Sequence, residues 1–457
     1  MAKQLDLKDN SLHDLLGEPW GDRRVERLNL KRIDFRKLQS LSEELNSKLH
    51  DKEFVNKNLH IFGENYEHNT DDGLLKVLGW NENNYKIETG NLVGYVSTPQ
   101  FKLNISSRFG DAFLKYLLYY SEGFLEIPDT GTNEASGLYQ WVMVFLWKTA
   151  LKRAYRFGIP KQYVPQHEKL FTIKGNVDVL NYAINKNKDG KTLCNFYHYD
   201  YNNPVTQLIS NTFSNIDNKE LINDCIQLKN TFDNCAGGQR IPLATCLNTK
   251  HISNPYYSEY NKVIDLSKNI LRRRFGDITD SSSISSAFLF DMSMLFEHYI
   301  RKVLKKEGFN LFPKNEDSMT ISRGLGQNDD RHLYPDIVID RCNNKKGEHE
   351  IEVYDVKYKH FNLRYGVKRE DLFQLHTYVL YLSNRYKVTR CGIIYPQLGD
   401  STKDTYNIIQ HSAPEYNDGV PFRVLFINIP MTESNNMKIF NDEMKKMEKE
   451  FVRKMKE

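Results

Sequence analysis

The six cysteines of this sequence, Cys194, Cys225, Cys235, Cys246, Cys342 and Cys391, are scattered, with no CxxC pair and no Cys/His cluster at zinc-ligand spacing. That leaves no zinc finger to read bases and predicts free thiols in a reducing cytoplasm. Long apolar runs are missing as well. The most apolar stretch, LYQWVMVFLW, is interrupted by Gln140 and closes at Lys148, about half the ~20 residues that a membrane-spanning helix needs. The opening MAKQLDLKDN has no apolar h-region after its first charge, so no secretory signal is expected. Neither sign of charge dominates: 63 basic against 59 acidic residues leave a formal +4, which permits a polyanionic partner without making a basic footprint. The GK[ST] sequence at Gly190-Lys191-Thr192 has Asn185 where a phosphate-cradling loop begins with glycine. Any nucleotide-driven motor must therefore be another chain.

What is present is length and apolar content: 457 residues, 40% apolar and 12% aromatic, suit two or three folded domains. Residues 1–125 read as a mixed α+β domain, with alternation around a Thr-Pro turn in NLVGYVSTPQFKLNISSRFG and a helical pattern in DAFLKYLLYYSEGFL. Residues 126–285 read as mainly helical. LYQWVMVFLWKTALKRAYRFG is a helix stopped by Gly158 and Pro160, LFTIKGNVDVLNYAINK is a strand, a glycine turn and a helix start, and PVTQLISNTFSNI and EYNKVIDLSKNILRRRFGD are further helices. The Ser/Asp-rich DITDSSSISS then reads as a linker or cap.

Residues 286–457 change character. A helix in AFLFDMSMLFEHYIRKVLKKEG precedes two strands within LYPDIVIDRCNNKKGEHEIEVYDVKYK, and a helix follows in EDLFQLHTYVLYLSNRY. The strands RCGIIYP and FRVLFINI and a charged last helix, with Met437, Phe440, Met444, Met447, Phe451 and Met455 at helical spacing, complete the segment. This order predicts an α/β sheet with helices on both sides.

Chemistry concentrates in that segment. If DIVI and EIEVYDVKYK are adjacent strands, alternation points Asp355 and Lys357 the same way, and Asp336 sits beside Asp355. Two carboxylates with a backbone carbonyl suit a hard divalent cation, Mg²⁺ or Mn²⁺. Such a cation can activate water and offset charge on a phosphodiester, with Lys357 to orient or deprotonate the water and neutralise the reacting centre. The strand is apolar on both faces, so it reads as central, and charges there need a reason. Gln374 and Tyr378, four apart on the following helix, are placed to hydrogen-bond the lysine, a water or the DNA backbone, and Glu297 on the preceding helix is a further metal ligand or an acceptor behind one. Taken alone, the motif is better explained by Asp336 capping a strand and Asp355 pairing with Lys357 on a solvated face; its surroundings are what point to chemistry.

The succession FLFDMSMLFEHYI, YPDIVI, EVYDVKYK and REDLFQLHTYVLYL resembles the PD-(D/E)-x-K nuclease superfamily, and within it the McrC family, the nuclease subunit of McrBC-type modification-dependent restriction systems. Upstream, NLVGYVSTPQFKLNISSRFG is similar to the family's strand pair, ending here in SSRFG, LKRAYRFGIPKQYV to its central helix, and LFTIKGNVDV to its arginine-glycine turn, with Lys174 in place of the arginine. The resemblance implies a restriction-endonuclease-like core in 286–457 and a Mg²⁺-dependent double-stranded DNA endonuclease acting in antiviral defence. It also implies a separate AAA+ GTPase partner, docked through the N-terminal region, whose GTP hydrolysis the subunit stimulates. Catalytic roles fall on Asp336, Asp355, Lys357, Gln374 and Tyr378, and metal binding on Asp336, Asp355 and Glu297. A non-catalytic adaptor of the motor, or a nuclease acting alone or in another assembly, keeps the same fold.

Overall fold

The computed structural model describes residues 3–14, 25–28, 35–51, 59–60, 74–81, 84–98, 100–122, 135–184, 189–216, 219–238, 241–275, 286–313, 319–322, 331–341, 349–361, 366–399, 415–416, 420–431 and 437–457. The turn RCNNKKGEHE and the linker DITDSSSISS lie almost wholly outside them. Among the described residues no helix is long and apolar enough to cross a membrane. The chain forms two compact units, Met1–Ala135 with Ala287–Glu457, and Ser136–Ser286.

The N-terminal part builds β1 (Lys3–Lys8), β2 (Leu12–Asp14), β3 (Val25–Arg27), α1 (Phe35–Lys48), β4 (Leu59–His60), β5 (Leu75–Asn81), β6 (Asn84–Thr89), β7 (Leu92–Ser97), β8 (Phe101–Ser106) and α2 (Asp111–Glu122). β7 and β8 form the antiparallel pair expected around the Thr-Pro turn, and β1 runs parallel to β8, Lys3 opposite Phe101. One four-stranded sheet has the order β3-β2-β6-β5.

The unit Ser136–Ser286 carries α3 (Ala135–Tyr155), β9 (Gln162–Leu170), β10 (Asn176–Val177), α4 (Val179–Ile184), β11 (Thr192–Asp200), α5 (Pro204–Asn215), α6 (Ile226–Cys235), α7 (Leu243–Leu247) and α8 (Glu259–Phe275). Its helices close on Trp147, which stacks edge-on against Phe213 at 4.6 Å and donates to Ser267 Oγ at 2.8 Å. Asn203 starts α5 with a reciprocal capping box to Thr206. The three strands form a separate sheet, β10-β11-β9. Its turn needs Gly175, at φ +64°, where an added Cβ would lie 2.4 Å from Asn195 O.

The C-terminal part adds β12 (Ser286–Asp291), α9 (Met292–Lys306), β13 (Met319–Ser322), β14 (Arg331–Leu333), β15 (Ile337–Asp340), β16 (Glu350–Val356), α10 (Arg369–Ser383), β17 (Lys387–Leu398), β18 (Glu415–Tyr416), β19 (Val420–Ile429) and α11 (Met437–Lys456). SAFLFD, expected to open a helix, is instead strand β12, because it completes the sheet β1-β8-β7-β12-β4 and Asp291 caps α9 by accepting from Ser293 N and Met294 N. This insertion into the N-terminal sheet is the physical reason that the first and third segments share one unit.

The second five-stranded sheet has the order β15-β16-β17-β19-β18. β15 and β16 are antiparallel, Ile337 opposite Tyr354, while β16, β17 and β19 run parallel. A parallel pair needs a crossover, and α10 supplies it. α10 covers one face through Leu375, Val379 and Leu382, packed on Ile351, Val353 and Ile393. Each such fully buried aliphatic contributes about 1.5–3 kcal/mol of transfer energy. α11 packs along β19, burying Met437, Phe440, Met444, Phe451 and Met455, with Met447 half-buried and Glu448 buried beside it.

Candidate active site

Asp336 lies at the bend just before β15, and its Oδ2 accepts from Val356 N at 2.7 Å. That bond brings it to the end of β16, next to Asp355. Arg301, on α9 and 7% exposed, fixes the backbone there by donating to Asp336 O at 2.5 Å and Phe312 O at 2.7 Å.

Asp355 is wholly buried on the internal strand β16. Lys357 Nζ lies 2.8 Å from its Oδ2, close enough to pair in charge but off the line of a directed hydrogen bond, and Oδ1 has no donor. Burial, then the negative charge of Asp336, push the Asp355 carboxyl well above the usual carboxylate range, and Lys357 pulls it back. For Lys357, burial acts against the ammonium, but the charges of Asp355 and Asp336 outweigh it and raise its pKa. The strand's other face is separate: Glu352 is held there by Arg341 at 3.1 Å and by the Tyr354 hydroxyl at 3.1 Å.

Two α10 residues lie beside Lys357. Lys357 Nζ donates to Gln374 Oε1 at 2.7 Å, and Gln374 Nε2 donates to the Tyr378 hydroxyl at 2.7 Å. Burial first, then the charges of Asp336 and Asp355, raise the Tyr378 pKa. Glu297, buried on α9, acts on Tyr378 with its charge. Among the described residues, however, no three metal-capable side chains converge, so the described carboxylate pair is Asp336 and Asp355. The pair fits a divalent cation: two neighbouring carboxylates, the buried one with the Lys357 ammonium beside it but no directed donor on its oxygens, are an oxygen ligand set with negative charge to spare.

Three residues near the site read in the sequence only as charges on a solvated face. They are Arg301, Asp371 and Arg108. Asp371, buried on α10, pairs with Lys359 at 3.0 Å, and its charge reaches Lys357. It lines a cavity of about 280 Å³ with Lys359, His360, Phe361, Gly366, Lys368 and Tyr395. Two basic clusters of the sequence, Lys152-Arg153-Arg156 and Arg272-Arg273-Arg274, are candidates for phosphate contact: Lys152 is taken up by Asp224 at 2.7 Å, which also binds Lys148, Arg272 also has a partner, and the side chains of Arg273 and Arg274 lie outside the description.

A different surface stands out in the unit Ser136–Ser286. The small sheet and α4 expose Tyr163, Phe171, Leu180, Ile184 and Tyr197 by 71% or more. Cations interleave with aromatics here: Lys161 lies 4.2 Å from the Tyr201 ring centre, Lys191 4.8 Å from that of Phe171, and Lys174 5.7 Å from that of Phe196.

Residues 87–396 match the family model described as McrBC 5-methylcytosine restriction system component. The fold is similar to a chain in the half-complex of the tetradecameric assembly of Thermococcus gammatolerans McrB AAA+ hexamers with bound McrC, at TM-score 0.50 and 15% identity, covering 97% of this chain and 100% of that one. A chain of the Thermococcus gammatolerans McrBC complex aligns at TM-score 0.34 and 16% identity, over 66% of this chain and 88% of that one. No curated protein matches the sequence.

Proposed function

We propose that this chain, which belongs to the McrBC 5-methylcytosine restriction system component family, is the divalent-metal-dependent DNA endonuclease subunit of such a system and works with an AAA+ GTPase partner. The observation that carries the reading is Asp355: a fully buried carboxylate without a directed donor, placed between Asp336 and Lys357. Asp336 and Asp355 would hold Mg²⁺ or Mn²⁺. When bound, the ion supplies positive charge against the phosphodiester and activates a water for attack.

The remaining work falls to side chains. Lys357 presents its ammonium to the phosphate oxygen on which charge builds. Gln374 fixes that ammonium, and Tyr378 orients the Gln374 amide, so Lys357 loses little freedom on binding DNA. Lys359, His360 and Lys368 line the neighbouring cavity and suit the flanking phosphates.

The exposed apolar side chains of β9, β11 and α4, and not the N-terminal region that the resemblance implies, are the surface suited to the AAA+ partner, since so many large apolar side chains are uncommon on the face of a protein that works uncovered. Asp355→Ala or Lys357→Ala in the full chain should reduce cutting by the reconstituted complex by about 10²-fold or more, with complex formation and GTP hydrolysis retained. Undiminished cutting removes the site assignment.

A further inference from the structure

The N-terminal sheet ends directly against the chain that leaves the candidate site. β16 finishes at Val356, so Lys357 lies beyond the last residue of its strand. The next residues are held by Lys357 N donating to Ile394 O at 2.9 Å, by Lys359, whose N donates to Lys357 O at 3.0 Å and whose Nζ pairs with Asp371, and by a group of contacts from residues 107–109, just past β8. Arg108 NH2 donates to Tyr358 O at 2.6 Å and NH1 to Asn10 O at 3.3 Å. Its guanidinium lies 4.8 Å from the Tyr358 ring centre. Ser107 Oγ and the Tyr358 hydroxyl are 3.1 Å apart, and Phe109 packs edge-on against Tyr358 at 5.2 Å. Asp9, at the end of β1, is fully buried and accepts from Arg108 N at 2.7 Å.

This is a costly way to pack a loop. Arg108 is 8% exposed and its Nε has no acceptor; its charge acts on buried Asp9, but offsetting a charge does not by itself require this geometry. What only a guanidinium does here is grip two main-chain carbonyls from different parts of the fold at once. One of them is a single residue past Lys357.

We propose that Arg108 is a positioning residue for Lys357: by holding the Tyr358 carbonyl from the N-terminal sheet, it fixes the chain on which the lysine stands. The N-terminal sheet is then a second support of the site, alongside α10, and a displacement of β1 or β8 is felt at the ammonium. The inference rests on the reading of Lys357 as catalytic.

The test uses the full chain as wild type, Arg108→Ala and Arg108→Lys, with two readouts. Backbone hydrogen exchange over residues 357–361 needs no cleavage. Arg108→Ala should speed it by about tenfold or more, as expected for losing a hydrogen bond from a charged donor, while α10 and β17 exchange as in wild type. Arg108→Lys, which keeps the charge and loses the fork, should fall between. In the reconstituted complex, kcat should fall with KM for DNA unchanged. Unaltered exchange at 357–361, or acceleration spread evenly over the unit in both variants, overturns the proposal. A wild-type complex that does not cut instead removes the nuclease reading, and the exchange data still decide whether Arg108 fixes this segment.

Discussion

Gln374→Leu separates positioning of the lysine from packing of the helix. The substitution removes the Oε1 acceptor of Lys357 at 2.7 Å and the Nε2 donor to Tyr378 at 2.7 Å, at similar side-chain volume. A hydrogen bond to a charged group contributes about 1.5–3 kcal/mol. If all of it is expressed in the barrier, cutting slows by about 10- to 150-fold. Stability falls for a different reason: the Tyr378 hydroxyl, on a side chain 1% exposed, is left without its partner, at about 1–3 kcal/mol. Adding Tyr378→Phe removes the orphaned hydroxyl, so the double variant should regain most of the denaturation midpoint while its cutting rate stays low. The assays are a denaturant titration of the chain and a single-turnover cleavage time course with the AAA+ partner. If Gln374→Leu cuts within twofold of wild type, or if Tyr378→Phe restores rate together with stability, the lysine does not depend on this relay.

Two further outcomes concern the supports of the site. Burial pushes the Asp9 carboxyl from its ordinary 3.8 up to about 6, against the pull of Arg108. A carboxyl whose folded pKa lies above its unfolded value contributes stability that is complete below about pH 4 and lost as pH rises through 6, here about 3 kcal/mol at 1.36 kcal/mol per unit. Asp9→Asn should therefore flatten the fall between pH 4 and 7 in a stability profile, and parallel profiles for the two proteins would contradict the assignment. Glu448 Oε1 accepts from the hydroxyls of Tyr116 at 2.7 Å and Tyr299 at 2.8 Å, joining α11 to α2 and α9. Glu448→Ala orphans both hydroxyls, at about 1–3 kcal/mol each, whereas Glu448→Gln keeps an acceptor and should cost much less; equal losses in midpoint would mean the two bonds contribute nothing.

The sequence by itself determined what local periodicity controls. Alternation along β16 set the face of Asp355, because burial fixes a strand's register, and Lys357, one residue past the strand's end, keeps to the same side. Helical spacing placed Gln374 and Tyr378 together for the same kind of reason. The hairpin of β15 and β16 followed from its apolar runs and polar turn, and the pair Asp336 and Asp355 came with it.

Only the tertiary structure decided the contacts that join distant segments. SAFLFD has a pattern that a buried helix would also show, and it is a strand because a partner strand some two hundred residues earlier waits for it. Arg301 on Asp336, Asp371 on Lys359, Glu448 between two tyrosines and Arg108 on Tyr358 each look in the sequence like a charge on a solvated face. Their burial depends on which element comes to lie over them, and no local period encodes that. The site's charged groups could thus be read from short-range geometry, whereas what holds them in place could not, since it comes from long-range packing.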